Sequence, residues 1–341
     1  MAPPRLNNEQ LRQVKRALQQ AGSNSAAANL LGKSESTIRR LRKRALEMPD
    51  EVTLPDFPDD DIPAEQILDQ MERRFAQRLE HARAMHWFEV KVRDNRPIGI
   101  CWFGDPHLGS NGCNVSLLRK DVKVVSSTPG MYGGNIGDTT DNWPWSGRLL
   151  AQYANNDVSK QTERRLARWF LEDSGIKWMV WLEGNHDAMD GGFTTYLRAI
   201  NANAIPMVDW RARFKLSFPG KTFKIDAAHN HKGHSMWNEL HGQDRSSLVD
   251  ETAHLYIAGH HHTWALKQKE LPDGVVTLLA RARGYKWIDD HAERHGFHSQ
   301  GHGASIVTIF DPLAKSPVQA VRGFADVEEG AEFLTWLRKK V

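Results

Sequence analysis

Ile98-Gly99-Ile100-Cys101-Trp102-Phe103-Gly104-Asp105-Pro106-His107 is an apolar run that closes on a carboxylate and an imidazole. The same arrangement recurs along the chain. Residues 130–136 lead into Gly137-Asp138-Thr139-Thr140-Asp141, and residues 178–182 into Gly184-Asn185-His186-Asp187. Residues 223–228 lead into His229, and 255–258 into Gly259-His260-His261-His262. Each run reads as a strand. Between two of them, Ser159 begins a helical pattern through Leu166, Trp169 and Phe170 that ends near Gly175. Strands alternating with helices predict an α/β core, in which ligands gather beyond the carboxyl ends of strands. All five signatures fall at such ends, so side chains distant in the chain are expected to converge.

The residue types point to metal chemistry. Asp105 and His107, one residue apart on a loop, can reach one ion. Asp138 is the best candidate for a bridging carboxylate, since its two oxygens can serve two cations. Asn185 offers a neutral carbonyl oxygen, and His229, His260 and His262 complete the shells. Carboxylate, amide and imidazole suit a pair of divalent cations better than one structural zinc, which would favour cysteine. Two carboxylates against two divalent cations leave net positive charge for an anionic substrate. Two such cations about 4 Å apart can grip a phosphate and activate water. The fourth signature stays open: His229 stands where its strand should end, His234 is the second choice, and His231 reads as a surface residue.

The chain has 341 residues, 40% of them hydrophobic, enough for one large domain and a smaller one. No run of about 18 apolar residues indicates a membrane span. The N-terminus lacks an apolar signal core, and the two cysteines, Cys101 and Cys113, fit neither a zinc module nor a disulfide scaffold. A cytoplasmic protein with reduced thiols is expected.

The net charge of +3 is unevenly spread. Residues 1–48 carry ten Lys/Arg against three acids, and residues 49–65 carry seven acids and no Lys or Arg. Residues 7–47 read as three short helices, with Gly22-Ser23 ending the first and Gly32 the second. Ser34 or Ser36 can cap the third, which carries Arg39, Arg40, Arg42, Lys43 and Arg44. The stretch 26–40 resembles a helix-turn-helix of the Fis or small-terminase kind, in which that third helix lies in the major groove of DNA. The domains expected are therefore a DNA-binding head over 1–48, an acidic Pro-rich linker over 49–63, an amphipathic helix and connector over 64–95, and a catalytic body over 96–341. In the connector, Leu68, Met71, Phe75, Leu79, Ala82 and His86 recur at helical spacing. That stripe is expected to dock on the body, with a homodimer contact as the alternative.

The ordered set of signatures resembles the calcineurin-like metallophosphoesterases over roughly residues 96–312. The resemblance implies a pair of β-sheets packed together and flanked by helices. It also implies two divalent metal ions, Mn²⁺ foremost, with Fe, Zn or Mg as alternatives. Carried over, Asp105, His107, Asp138 and His262 hold one ion, and Asp138, Asn185, His229 and His260 the other. His186 is then the general acid that protonates the leaving oxygen, with Asp187 or Asp141 orienting it, and a metal-activated hydroxide attacks phosphorus in line.

Protein Ser/Thr phosphatases of that superfamily carry Arg directly after the aspartate corresponding to Asp141, and Glu at the position of Asp187. Here Asn142 and Asp187 stand there, which weakens a protein-phosphatase reading. Arg148, Arg281 or Arg283 could substitute. The motifs look more like SbcD-type nucleases and the exonuclease-like phosphoesterases of bacteriophage genomes. His234 and the basic, aromatic stretch with Arg281, Arg283 and Lys286 are then candidate substrate contacts. The expected function is a phosphodiesterase or nuclease acting on DNA. The alternatives are a phosphomonoesterase localised by its head, and a non-catalytic DNA-binding protein.

Overall fold

A computed structural model of the chain describes residues 8–48, 62–144, 158–287 and 301–341, with Gly147, Leu150 and Asn156. Most of the acidic linker, residues 49–61, lies outside the described residues, as does Arg148. The chain forms two compact units, Met1–Ala76 and Gln77–Val341.

The first unit holds three helices, α1 Asn8–Ala21, α2 Asn24–Leu31 and α3 Glu35–Leu46. Ser23 caps α2 by accepting from the Ala26 amide, and Gly32 ends it at φ +60°. Ser34, not Ser36, caps α3. Leu11, Val14, Ala27, Ala28, Ile38, Leu41 and Ala45 form the shared core. The small Ala27 and Ala28 side chains let α2 lie close to its neighbours. Arg39, Arg40, Arg42, Lys43 and Arg44 are all exposed on α3.

The boundary between the units falls inside one continuous helix, α4 Ala64–Met85. Leu68, Met71, Phe75 and Leu79 of α4 are all exposed. His86, expected on the same helical face, instead opens the strand β1 His86–Lys91, which pairs parallel to β6 Arg211–Phe218. The connector expected over 64–95 therefore contributes an edge strand to the body.

The second unit is α/β, built on two mixed sheets of six strands. One sheet has the order β12-β11-β2-β3-β4-β5. Its parallel strands are β2 Ile98–Phe103, β3 Met131–Ile136, β4 Trp178–Glu183 and β5 Met207–Asp209, and β11 Ser305–Phe310 and β12 Val321–Phe324 extend it antiparallel. The other has the order β1-β6-β7-β8-β10-β9, with β7 Lys221–Ala228, β8 Leu255–Ala258, β9 Ala265–Glu270 and β10 Val276–Arg281. One apolar layer draws on both sheets: Ile100, Trp102, Val180 and Leu182 from the first, Phe214, Leu216, Phe223, Ile225 and Ile257 from the second. A further core covers the first sheet with helices, through Leu118, Val122 and Val125 of α5 Val115–Ser127, Ala167 of Lys160–Arg168, and Val327, Ala331 and Leu334 of Val327–Arg338. Ser159 caps Lys160–Arg168, as its place in the sequence predicts, and a π-helical turn Trp169–Asp173 follows.

Candidate metal centre

β2, β3, β4, β7 and β8 end on the five signatures. Hydrogen bonds between the loops then fix the side chains. The His107 amide donates to the Asp138 carbonyl at 3.0 Å and the Leu108 amide to Thr139 at 2.9 Å, which ties the loop after β2 to the loop after β3. The His260 amide donates to Asp105 Oδ2 at 2.7 Å and the His186 amide to Asp138 Oδ1 at 2.8 Å, so each carboxylate also anchors a loop from elsewhere.

Three groups of potential donor atoms result: Asp105, His107 and His262; Asp138, His229 and His260; and His107, Asp141 and His186. The first two correspond to the two predicted ligand sets, apart from Asn185 and the shared use of Asp138. Asn185 joins through its Oδ1, 2.8 Å from His229 Nε2. Asp138 Oδ2 lies 3.4 Å from His229 Nε2 and 3.9 Å from His107 Nε2, between the first two groups. His229 belongs to a group and His234 to none. His234 is exposed, its ring 4.9 Å from that of His261.

Two donor atoms test the fit to a cation. Asp105 Oδ1 and His107 Nε2 are both buried without a hydrogen-bond partner. A buried polar atom is costly unless something satisfies it, and a cation would satisfy both. Buried Asp and His groups that can hold a metal ion are therefore present.

The supporting hydrogen bonds orient the rings. His107 Nδ1 donates to Asp141 Oδ1 at 2.6 Å, and His229 Nδ1 to the Ile136 carbonyl at 2.8 Å. Each leaves Nε2 facing the centre, the arrangement typical of metal-binding imidazoles. His186 Nδ1 donates to the main-chain oxygen of Asp141 at 2.6 Å. The Asp187 carboxylate does not orient His186. It is fully buried and accepts from the Thr139 and Gly184 amides at 3.0 and 2.9 Å, which makes it a clamp between two loops.

The backbone here is unusual. Asp105, His107, Asp138, His260 and His262 all have φ between +33° and +70°. Non-glycine residues pay for that conformation, and such outliers gather at functional sites. Glycines supply the close approaches. A Cβ on Gly184 would lie 2.2 Å from Asp138 Oδ1, and one on Gly137, at φ +101°, would lie 2.6 Å from His229 Nδ1.

Burial and charge oppose each other throughout. Burial disfavours a charged His229, but the Asp138 and Asp105 carboxylates and the Ile136 carbonyl together outweigh it and lift the imidazole to about 10. Burial also works against the Asp138 carboxylate, yet the surrounding imidazoles, His229 first, hold it well below the ordinary range. Burial lifts Asp105 to about 6 and Asp187 to about 7. It lowers His186, and it brings His260 down to about 4 with help from the charge of His229.

The outer residues divide. Lys286 reaches the centre, its Nζ 3.3 Å from Asp141 Oδ1. Arg281 does not face substrate space. It is 2% exposed and donates to the Gly259 carbonyl at 2.9 Å and the Glu239 carbonyl at 2.7 Å, pinning the turn before His260. Arg283 is buried, its guanidinium 4.7 Å from the Trp287 ring. His231 is buried rather than superficial, because its ring meets Asp226, itself paired with Arg211 and Arg213. Asn142 is buried and donates to the His186 carbonyl at 2.7 Å, so it braces the loop instead of facing a ligand.

Two aromatic neighbours escaped the sequence reading. The Trp143 ring lies 4.5 Å from that of His186, and the partly exposed Trp210 ring 5.1 Å from that of His229. Trp143 stands two residues after the second signature, a signal that was available. Trp210 precedes β6 and gave none. No family model and no curated protein matches the chain.

Proposed function

We propose that the protein is a dinuclear metal-dependent phosphoesterase, specifically a phosphodiesterase or nuclease that acts on DNA. The carrying observation is the Asp138 carboxylate lying between two separate donor groups, Asp105-His107-His262 and His229-His260 with Asn185. A carboxylate so placed, with imidazoles to either side, suits two borderline cations such as Mn²⁺, with Fe, Zn or Mg as alternatives. Bound there, the cations supply Lewis-acid activation of a phosphate ester and of water.

The chain's own residues do the rest. His186, fixed through Nδ1, can protonate the leaving oxygen from Nε2 when it is in its imidazolium form, and is left as the neutral Nδ1–H ring. Asp141 holds His107 by its carboxylate and His186 by its carbonyl, coupling a ligand to the proton donor. Lys286 adds positive charge where a phosphate would approach. The resemblance to calcineurin-like metallophosphoesterases agrees with this set. The exposed arginines and lysine of α3, on a three-helix unit that resembles a helix-turn-helix, favour DNA as the polymer.

Purified protein with Mn²⁺ is tested on labelled single- and double-stranded DNA, bis-p-nitrophenyl phosphate and p-nitrophenyl phosphate. DNA cleavage that Asp138→Ala abolishes is the expected result. Turnover of the monoester alone would replace this reading with a phosphomonoesterase, and no turnover across several metals would leave a DNA-binding protein.

A further inference from the structure

The apolar stripe of α4 is symmetric about Phe75. Leu68 and Met71 precede Phe75 by seven and four residues, and Ala82 and Leu79 follow it by the same intervals. The charges of the helix are antisymmetric. From Ala64 to Glu72 the charged residues are Glu65, Asp69 and Glu72, with no Lys or Arg; from Arg73 to Met85 they are Arg73, Arg74, Arg78 and Arg83, with only Glu80 opposing. The stripe is open to solvent over the whole helix, with Phe75 68% exposed and Met71 59%.

We propose that α4 is a homodimerisation helix that pairs antiparallel with α4 of a second copy, on a two-fold axis through Phe75. A closed two-fold contact requires that if one residue meets another, the reverse pair meets as well. Antiparallel pairing about Phe75 meets that requirement along the entire stripe: Leu68 faces Ala82, Met71 faces Leu79, and Phe75 faces its own copy. Large side chains oppose smaller ones at the ends, which favours interdigitation. The same alignment lays the acidic half of each helix along the basic half of the other and sets Glu72 against Arg78, twice by symmetry. A parallel pair would keep the apolar contacts but stack acid on acid and arginine on arginine, which is repulsive. Charge therefore selects both the partner and the direction. A helix of 22 residues is about 33 Å long, so the contact is modest and the association depends on concentration. The inference is independent of the proposed phosphoesterase activity.

Sedimentation velocity of the full chain between about 1 and 100 μM is the first test. A shift from the 38.7 kDa monomer toward twice that mass is expected, and Phe75→Glu should remain monomeric throughout. Glu72→Arg and Arg78→Glu should each weaken dimerisation by on the order of tenfold, and the double variant should recover most of it. Direction is tested by oxidative cross-linking beside a wild-type control. Leu68→Cys mixed with Ala82→Cys should cross-link, and neither should cross-link alone. A monomer at every concentration, dimerisation untouched by Phe75→Glu, additive losses in the charge double variant, or self-cross-linking of Leu68→Cys would each overturn the proposal.

Discussion

Asp141 Oδ1 accepts a 2.6 Å hydrogen bond from His107 Nδ1, while the carbonyl of the same residue takes one from His186 Nδ1. Side chain and main chain thus do separate work. Asp141→Ala is expected to weaken Mn²⁺ binding 10- to 100-fold, as loss of an outer hydrogen bond to a ligating imidazole does, with the His186 contact retained. Asp141→Asn, which keeps an acceptor oxygen, should lose less. Calorimetric titration of Mn²⁺ into the metal-free variants checks the order, and equal losses would contradict it.

His186 belongs to the third donor group, with His107 and Asp141, but carries no ligand role in the proposed metal pair. His186→Ala should lower kcat on bis-p-nitrophenyl phosphate by about 10² to 10⁴ while leaving the stoichiometry of bound metal intact. Asp138→Ala should lose metal and turnover together. Elemental analysis alongside steady-state kinetics separates the two outcomes. Loss of metal in His186→Ala would make it a ligand instead.

Asp121 lies in the core and accepts from the Tyr285 hydroxyl at 2.6 Å. Burial lifts its carboxyl from 3.8 to about 6. The folded state therefore binds the extra proton between those values, and this group's contribution to stability falls as pH rises from about 4 to about 6. Asp121→Asn should match wild type at pH 4 and be more stable by roughly 2 kcal/mol at pH 8. Urea denaturation at the two pH values reads this directly, and a variant less stable at pH 8 would refute it.

His260 holds φ +70°. At such a position glycine is relaxed and alanine is not. Metal-free His260→Gly should exceed His260→Ala in stability by about 1 kcal/mol, although both lose the ligand. Thermal melts of the two variants provide the comparison, and the reverse order would show that the turn carries no strain.

The five cations of α3 are exposed, and Arg42 Nη1 donates to Asn24 at 3.3 Å. If α3 lies against phosphates, each of Arg39→Ala and Lys43→Ala should flatten the salt dependence of DNA binding, lowering the log–log slope by roughly 1. Fluorescence anisotropy across a salt series measures the slope. An unchanged slope in both would remove α3 from the interface.

The site was legible because its information is local. A strand followed by Gly-Asp or Gly-His announces a turn and a candidate donor within a few residues, and the structure gathers Asp105, His107 and His262, and Asp138, His229 and His260, into groups that could hold a metal ion. What the chain does far away was not legible. β11 is fully buried and β6 alternates cleanly, yet neither leads into a ligand, so nothing in the metal pattern drew attention to them. The stripe on α4 shows that a face is apolar without showing what covers it. The guanidinium of Arg281 reads as a substrate cation until Gly259 and Glu239 are seen to hold it. His231 looked superficial because Asp226, which keeps it inside, is itself held by arginines from the neighbouring strand.

The two hydrogen bonds that join the loop after β2 to the loop after β3 have a thermodynamic corollary. His107 and Asp138 hang from one shared ladder, so an ion that settles one side of the centre also removes freedom from the other. If the centre takes two ions as proposed, the second would enter a cradle already stiffened by the first, and uptake would be cooperative, with partly loaded molecules scarce.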